Sequence, residues 1–174
     1  MVARKTGKNP NVLPKDDSAY SLIGKYFKLV LILIFLYTIL FLFFPHDISN
    51  SFKITILDHS FLKIAGVLLM IISWIWVLIA QYNMKNSWRI GIDKNTPTEL
   101  ITTGLFQYSR NPVFLGMMVS LAGLLLSLPN FITLMFLLTG TLLMQIQIRL
   151  EEEFLFKQHG SVYSDYKNRV RRFI

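Results

Sequence analysis

Residues 104–116 read Gly-Leu-Phe-Gln-Tyr-Ser-Arg-Asn-Pro-Val-Phe-Leu-Gly, a polar, glycine-punctuated loop that feeds a long apolar segment. Pro112 carries the fixed φ of a first helical residue, and Asn111 before it can cap the backbone N–H groups that a new helix leaves unpaired. Such a helix start, with Arg110 beside it, attracts anions. The plain alternative is a well-made helix entrance. A second set of polar residues follows at 145–153. Gln145, Arg149 and Glu152 are spaced four and three apart and share one helix face, while Gln147 and Glu151 share another. Polar side chains at the end of an apolar helix must find partners or water. A solvated exit with an Arg149 to Glu152 pair is the plain reading, and it suffices for Glu153. Beyond Gly160, Tyr163, Tyr166 and Arg169 recur at three-residue steps, a spacing that stacks two phenols and a guanidinium along one stripe. That stripe suits either a membrane surface or a site. Trp88 and Arg89 allow the same two readings: a headgroup-level anchor or a site role.

The elements that must position these groups are apolar helices. Hydrophobic residues make up 53% of the 174-residue chain and aromatic residues 14%, with a mean hydropathy of +0.47. Those values exceed what a soluble globule of this size carries and place the chain in a bilayer. Residues 29–44 are uncharged and flanked by Lys25 and Lys28, whose stems can snorkel to the headgroups. Residues 64–84 form a second uncharged run, with Trp74 and Trp76 inside it and Tyr82 near its end. Residues 113–148 are uncharged throughout and as one helix would extend about 54 Å, far more than a bilayer core needs. They must fold back, and Pro129-Asn130 is the natural turn, giving arms at 113–128 and 131–148. The expected fold is therefore all-α and membrane-embedded, with about four transmembrane helices including a helical hairpin. A loop and a C-terminal helix on the cytoplasmic face form the site.

The basic residues set the orientation, because cytoplasmic segments near spans carry the excess of Lys and Arg. Of the 18 Lys and Arg residues, only Lys53 and Lys63 fall between the first two helices, and none falls in the hairpin turn. Both termini are thus expected on the cytoplasmic side of a multi-pass protein. The net charge of +8 reads as topology and attraction to anionic lipid; no basic folded domain suggests nucleic acid. The absence of cysteine rules out disulfide and thiolate chemistry, and no metal site is expected. Residues 1–21 are polar, with Pro10 and Pro14, and read as a mobile cytoplasmic arm before a membrane-embedded domain at 22–174.

An Arg-Asn-Pro loop before a glycine-bearing hydrophobic hairpin, then Glu-Glu-x-x-Leu, a glycine, Tyr-x-x-Tyr and a closing Arg-Val-x-Arg, resembles the isoprenylcysteine carboxyl methyltransferase family. It is similar as well to the related phospholipid N-methyltransferases. The resemblance covers about residues 87–173, the catalytic half; the first two helices match only as hydrophobic spans. It implies an integral-membrane enzyme that uses S-adenosyl-L-methionine without a Rossmann domain, and the chain contains no Gly-x-Gly-x-x-Gly. It implies a site folded over that cofactor at the cytoplasmic surface and open to a lipophilic substrate from the bilayer. Carried over residue by residue, it places the family motifs on Arg110, Asn111, Pro112, Glu151, Glu152, Tyr163, Tyr166 and Arg169; the expected cofactor contacts are Tyr108, Arg110, Asn111, Pro112, Gly116, Glu152, Tyr163 and Tyr166. The expected catalytic residues are Arg89, Glu151, Glu152 and Arg169. The chain departs from the family pattern at Asn111, where histidine is common, and at Arg171, where the closing motif has proline. Asparagine does not titrate, so no proton transfer can sit at that position.

Methyl transfer to a carboxylate needs no general base, since the acceptor is ionised at neutral pH, and Arg89 or Arg169 could hold it in a bidentate fork. An amine acceptor needs a base, for which Glu151 or Glu152 is the candidate. The alternatives are a membrane sterol or steroid reductase using NADPH, which carries a similar helix entrance, and a catalytically silent protein of the same fold.

Overall fold

The computed structural model describes residues 19–84 and 99–174. Among these the chain forms six α-helices: α1 (Ala19–Phe43), α2 (Pro45–Asn50), α3 (Ser60–Met84), α4 (Pro112–Ser127), α5 (Phe131–His159) and α6 (Ser161–Arg169). Two 3-10 turns, Thr55–Leu57 and Gly104–Gln107, complete the regular structure, and no strand occurs among the described residues. Helices α1, α3 and α5 are long and apolar enough to cross a membrane, and α4 is a shorter apolar helix. The protein is an all-α membrane protein. The 16 residues of α4 extend only about 24 Å, short of a hydrocarbon core of about 30 Å. The 29 residues of α5 reach about 44 Å, which carries its last turns past the apolar layer.

The turn between α4 and α5 falls at Pro129-Asn130, as the sequence predicts, and Asn130 holds it. Asn130 is 1% exposed. Its side chain accepts from the Thr133 N–H at 3.0 Å, and the Thr133 hydroxyl accepts from the Asn130 N–H at 3.4 Å, a reciprocal capping box. Its Nδ2 also donates to the Tyr37 hydroxyl at 2.7 Å, while the Tyr37 ring meets Phe136 edge-on at 5.6 Å. One asparagine thereby starts α5 and docks α1 against it. At the other end of the same helix pair, the Tyr20 hydroxyl donates to the Leu150 carbonyl at 3.4 Å, so α1 runs antiparallel to α5. This docking explains why α1 already begins at Ala19, inside the stretch expected to be a polar arm; Ser21 is buried there.

Helices α3 and α4 approach more closely than large side chains allow. The buried residues of α3 are Gly66, Ser73 and Ala80, seven apart and so on one face. A Cβ on Gly66 would lie 2.6 Å from the Gly123 carbonyl oxygen, and one on Gly123 would lie 2.7 Å from that of Gly66. Further along, a Cβ on Gly116 would lie 2.5 Å from Val77 Cγ2 and 3.2 Å from the Ser73 carbonyl oxygen. Small residues substitute here for a hydrophobic driving force that lipid does not provide, because close backbones gain dispersion contacts. The outward residues of α3, Trp74 and Ile72 among them, are exposed and suit hydrocarbon.

The helix ends gather into two groups. One contains the hairpin turn and the segment from Phe44 to Ser60, tied by the Ile54 N–H to the Pro129 carbonyl at 2.8 Å and the Phe131 N–H to the Phe52 carbonyl at 2.9 Å. The other contains the start of α1, the end of α3, residues 99–111, the end of α5, and α6. All described residues singled out from the sequence for chemistry lie at or near this second end.

Candidate active site

The loop before α4 is held from three sides. Gly104 has φ +64°, and a Cβ there would overlap the Asn83 side chain at the end of α3, so only glycine fits this turn without strain. Trp76 on α3 donates its indole N–H to the Pro112 carbonyl at 2.9 Å, fixing the first turn of α4. Tyr166 on α6 donates its hydroxyl to the Phe106 carbonyl at 2.7 Å, which fastens α6 over the same loop. Gly160, with φ +56°, makes the reversal between α5 and α6 that brings Tyr166 there.

The centre of this end is Glu152, which is 8% exposed. Arg172 approaches it in a fork, Nη2 to Oε2 at 2.7 Å and Nε to Oε1 at 3.1 Å. Arg110 Nη2 stands 3.3 Å from Oε1. Two guanidiniums therefore face one carboxylate. Nε and Nη1 of Arg110 are buried with no hydrogen-bond partner among the described residues, although buried donors are normally satisfied. Such a group is suited to an anionic ligand.

The segment after α6 is threaded through the site by its backbone. The Arg110 N–H donates to the Arg171 carbonyl at 3.0 Å. Asn111 Nδ2 donates to the Arg172 carbonyl at 3.3 Å, and the Ser109 hydroxyl reaches the same carbonyl at 3.4 Å. Ser109 also accepts the Asn111 N–H at 3.2 Å. Asn111 occupies the N-cap position of α4, yet its side chain makes no capping bond. This corrects the expectation of an asparagine cap: the amide is drawn to Arg172 instead, because the extended chain at 170–172 offers a carbonyl within reach.

Tyr163 is 2% exposed. Its phenol is pushed up to about 12, first by burial and then by the Glu152 charge, against the opposing pull of Arg110 and Arg172. Burial raises the Tyr166 phenol as well. The carboxylate of Glu152 in turn holds the Arg172 guanidinium more firmly protonated. Both phenols are thus neutral donors at neutral pH. They do not form the membrane-surface stripe that a three-residue step allowed.

Arg110, Asn111, Glu152 and Tyr163 come together, with Tyr166 beneath them as a strut. Arg169 does not join them; it is exposed and its Nε donates to the Asp165 carbonyl of its own helix at 3.3 Å. Six residues rotate a helix by about 600°, which leaves Arg169 about 120° away from the Tyr163 face. Glu151 accepts from Gln147 Nε2 at 2.9 Å, on the face the two were expected to share and apart from Glu152. Arg149 is exposed, and the carboxylate three residues on goes to Arg110 and Arg172, which corrects the Arg149 to Glu152 pairing. Tyr108 is 67% exposed. Pro112 offers its carbonyl to Trp76, and Gly116 is accounted for by the contact with α3. Arg89 lies outside the described residues. Sequence reasoning missed Arg172, Ser109 and Trp76; Arg172 carried a signal, as the second arginine of the closing Arg-Val-x-Arg.

An open cleft of about 370 Å³ lies beside Glu152, lined by Arg149, Glu152, Glu153, Phe156, Tyr163, Lys167 and Arg172. Glu152 and Arg172 of the ion cluster face it, together with the exposed Arg149 and Lys167.

No curated protein and no solved structure shows significant similarity to the chain. The sequence profile of the phospholipid methyltransferase family matches residues 61–162. That range runs from the first turn of α3 to the first turn of α6 and contains Arg110, Asn111, Glu151 and Glu152. With more than half of its 174 residues matched, the chain belongs to the phospholipid methyltransferase family, which is related to the isoprenylcysteine carboxyl methyltransferases.

Proposed function

We infer that this membrane methyltransferase uses S-adenosyl-L-methionine and acts on a lipophilic acceptor. Residues 22–174 form the membrane domain, and both termini lie on the cytoplasmic side. The observation that carries the reading is the pairing of Arg110, buried with two unpartnered donors, with the buried carboxylate of Glu152. An α-amino acid end carries one carboxylate and one ammonium, and this pair offers one charge of each opposite sign. The donor set therefore fits the methionine end of the cofactor. Tyr163, held neutral beside Glu152, supplies a phenol donor to the same pocket.

When bound, the cofactor supplies an electrophilic methyl group on a sulfonium. Arg110 and Glu152 orient it, and the packing of α6 over the loop at 104–111 keeps water from the buried side. A carboxylate acceptor needs only placement and a cation; Arg149 and Lys167 lining the cleft, with Arg89 and Arg169 as the sequence proposes, are the available ones. An amine acceptor must shed a proton as it is methylated. Glu151 or Glu152 is the candidate to accept that proton, as the sequence proposes; Glu152 faces the cleft, and Glu151 accepts from Gln147 on another face of the helix.

Calorimetric titration of the purified, detergent-solubilised protein tests the reading. Binding of S-adenosyl-L-methionine without binding of NADPH is expected. Binding of NADPH alone would move the protein to the reductase class, and binding of neither would mark a silent member of the fold.

A further inference from the structure

Arg172 is the partly exposed partner of the buried Glu152 carboxylate. It lies outside the matched range of 61–162, yet its guanidinium makes the shortest contact to Glu152, at 2.7 Å. Its side chain is 33% exposed, against 9% for Glu152 and 8% for Arg110, and it lines the open cleft. The backbone beneath it is pinned separately, by Arg110 N–H to the Arg171 carbonyl and by Ser109 and Asn111 to its own carbonyl. None of those bonds uses the guanidinium. The side chain can therefore swing into the cleft while the segment and the loop stay in place.

We propose that Arg172 is a displaceable gate: its guanidinium occupies the seat of an incoming ammonium group on Glu152 and leaves when an amino-acid-bearing ligand binds. This rests on the cofactor reading above. Charge arithmetic favours the exchange. With Arg172 seated, two cations face one anion, and the cluster carries a net +1, with Arg172 its partly exposed member, beside the unpartnered donors of Arg110. With Arg172 in solvent and the amino-acid end of a ligand in its place, ammonium on Glu152 and carboxylate on Arg110, the net charge of that end and the pair is zero. Glu152, Arg110 and both charges of the amino-acid end then each have a partner. A low-dielectric site favours the second state, because an uncompensated charge there loses hydration without return. Glu152 is never left bare, since one cation replaces another. Without ligand the gate keeps that carboxylate paired; with ligand it sets the threshold for entry.

The test is calorimetric titration of the full-length protein in detergent, as wild type, Arg172→Gln and Arg172→Lys. The titrants are S-adenosylhomocysteine and 5′-methylthioadenosine, which lacks the amino-acid end. Removing the competing cation is expected to tighten S-adenosylhomocysteine about tenfold in Arg172→Gln and by less in Arg172→Lys, with 5′-methylthioadenosine unchanged. A structural strut would instead loosen or leave unchanged the binding of S-adenosylhomocysteine, and that result overturns the gate. Equal tightening of both nucleosides overturns it too, since a gate specific for the ammonium cannot act on a ligand without one. If Arg172→Gln fails to fold, Arg172→Lys decides, and unchanged or weaker binding there rejects the proposal. Absence of S-adenosylhomocysteine binding in all three proteins strikes the cofactor reading itself.

Discussion

Substitution of Glu152 by Gln is the sharpest perturbation of this site, because it keeps the side chain's shape and removes only its charge. In the wild-type protein the carboxylate faces Arg110 at 3.3 Å and Arg172 at 2.7 Å, and both Glu152 and Arg110 are less than one-tenth exposed. Removing one member of a buried ion cluster leaves the other charge uncompensated, at about 3–5 kcal/mol. Glutamine retains one acceptor for Arg172, which places the expectation at about 3 kcal/mol, the lower end. For a chain of this length that corresponds to a fall in melting temperature of about 6–12 °C. Thermal unfolding in detergent reads the stability. Calorimetric titration well below the melting temperature then reads cofactor affinity separately, with a loss of at least tenfold expected, about 1.4 kcal/mol. Glu153→Gln is the internal control: its partner Lys157, at 2.5 Å, is solvent-exposed, so neither quantity should move. A Glu152→Gln protein that melts and binds like wild type would refute both the burial argument and the placement of the cofactor.

Gly66→Ala should lower the melting temperature by the equivalent of about 1–3 kcal/mol, because its Cβ would stand 2.6 Å from a backbone oxygen of α4; an unchanged melting curve would mean that α3 and α4 do not cross there. Asn111→Ser keeps a good N-cap residue but loses the reach to the Arg172 carbonyl, so a loss of about 1 kcal/mol is expected, whereas a pure cap would show none in the same unfolding assay. The Tyr163 phenol, at about 12 when folded against 10.0 ordinarily, should resist alkaline titration followed by ultraviolet absorbance. Its folded value is the raised one, so its contribution to stability is complete below pH 10 and is lost as pH rises from about 10 to about 12. A cytoplasm-restricted reporter should work at either terminus and fail within 45–60; the reverse pattern would turn the site to the other side of the membrane.

Local chemistry determined much of this molecule. Uncharged runs long enough to span, a proline and an asparagine in the middle of one of them, and a lone Pro after Asn111 each act through a few neighbouring residues. The four apolar helices and the hairpin turn were therefore legible in order. So was the face that Gln147 and Glu151 share, because four residues along one helix fix a distance whatever surrounds it. Periodicity failed where a helix ended. Tyr163, Tyr166 and Arg169 share a stripe only approximately, and beyond Arg169 the chain is extended, with Val170 at φ −118° and ψ 131°. That change of backbone carries Arg172, and not Arg169, to Glu152. Nor could spacing reveal that Asn111 would forgo its own helix for a carbonyl 61 residues away, or that Glu152 would leave Arg149 for Arg110 and Arg172. Burial decides such choices: a carboxylate held in the interior takes the partners that folding brings within hydrogen-bond distance, and sequence separation carries no record of them.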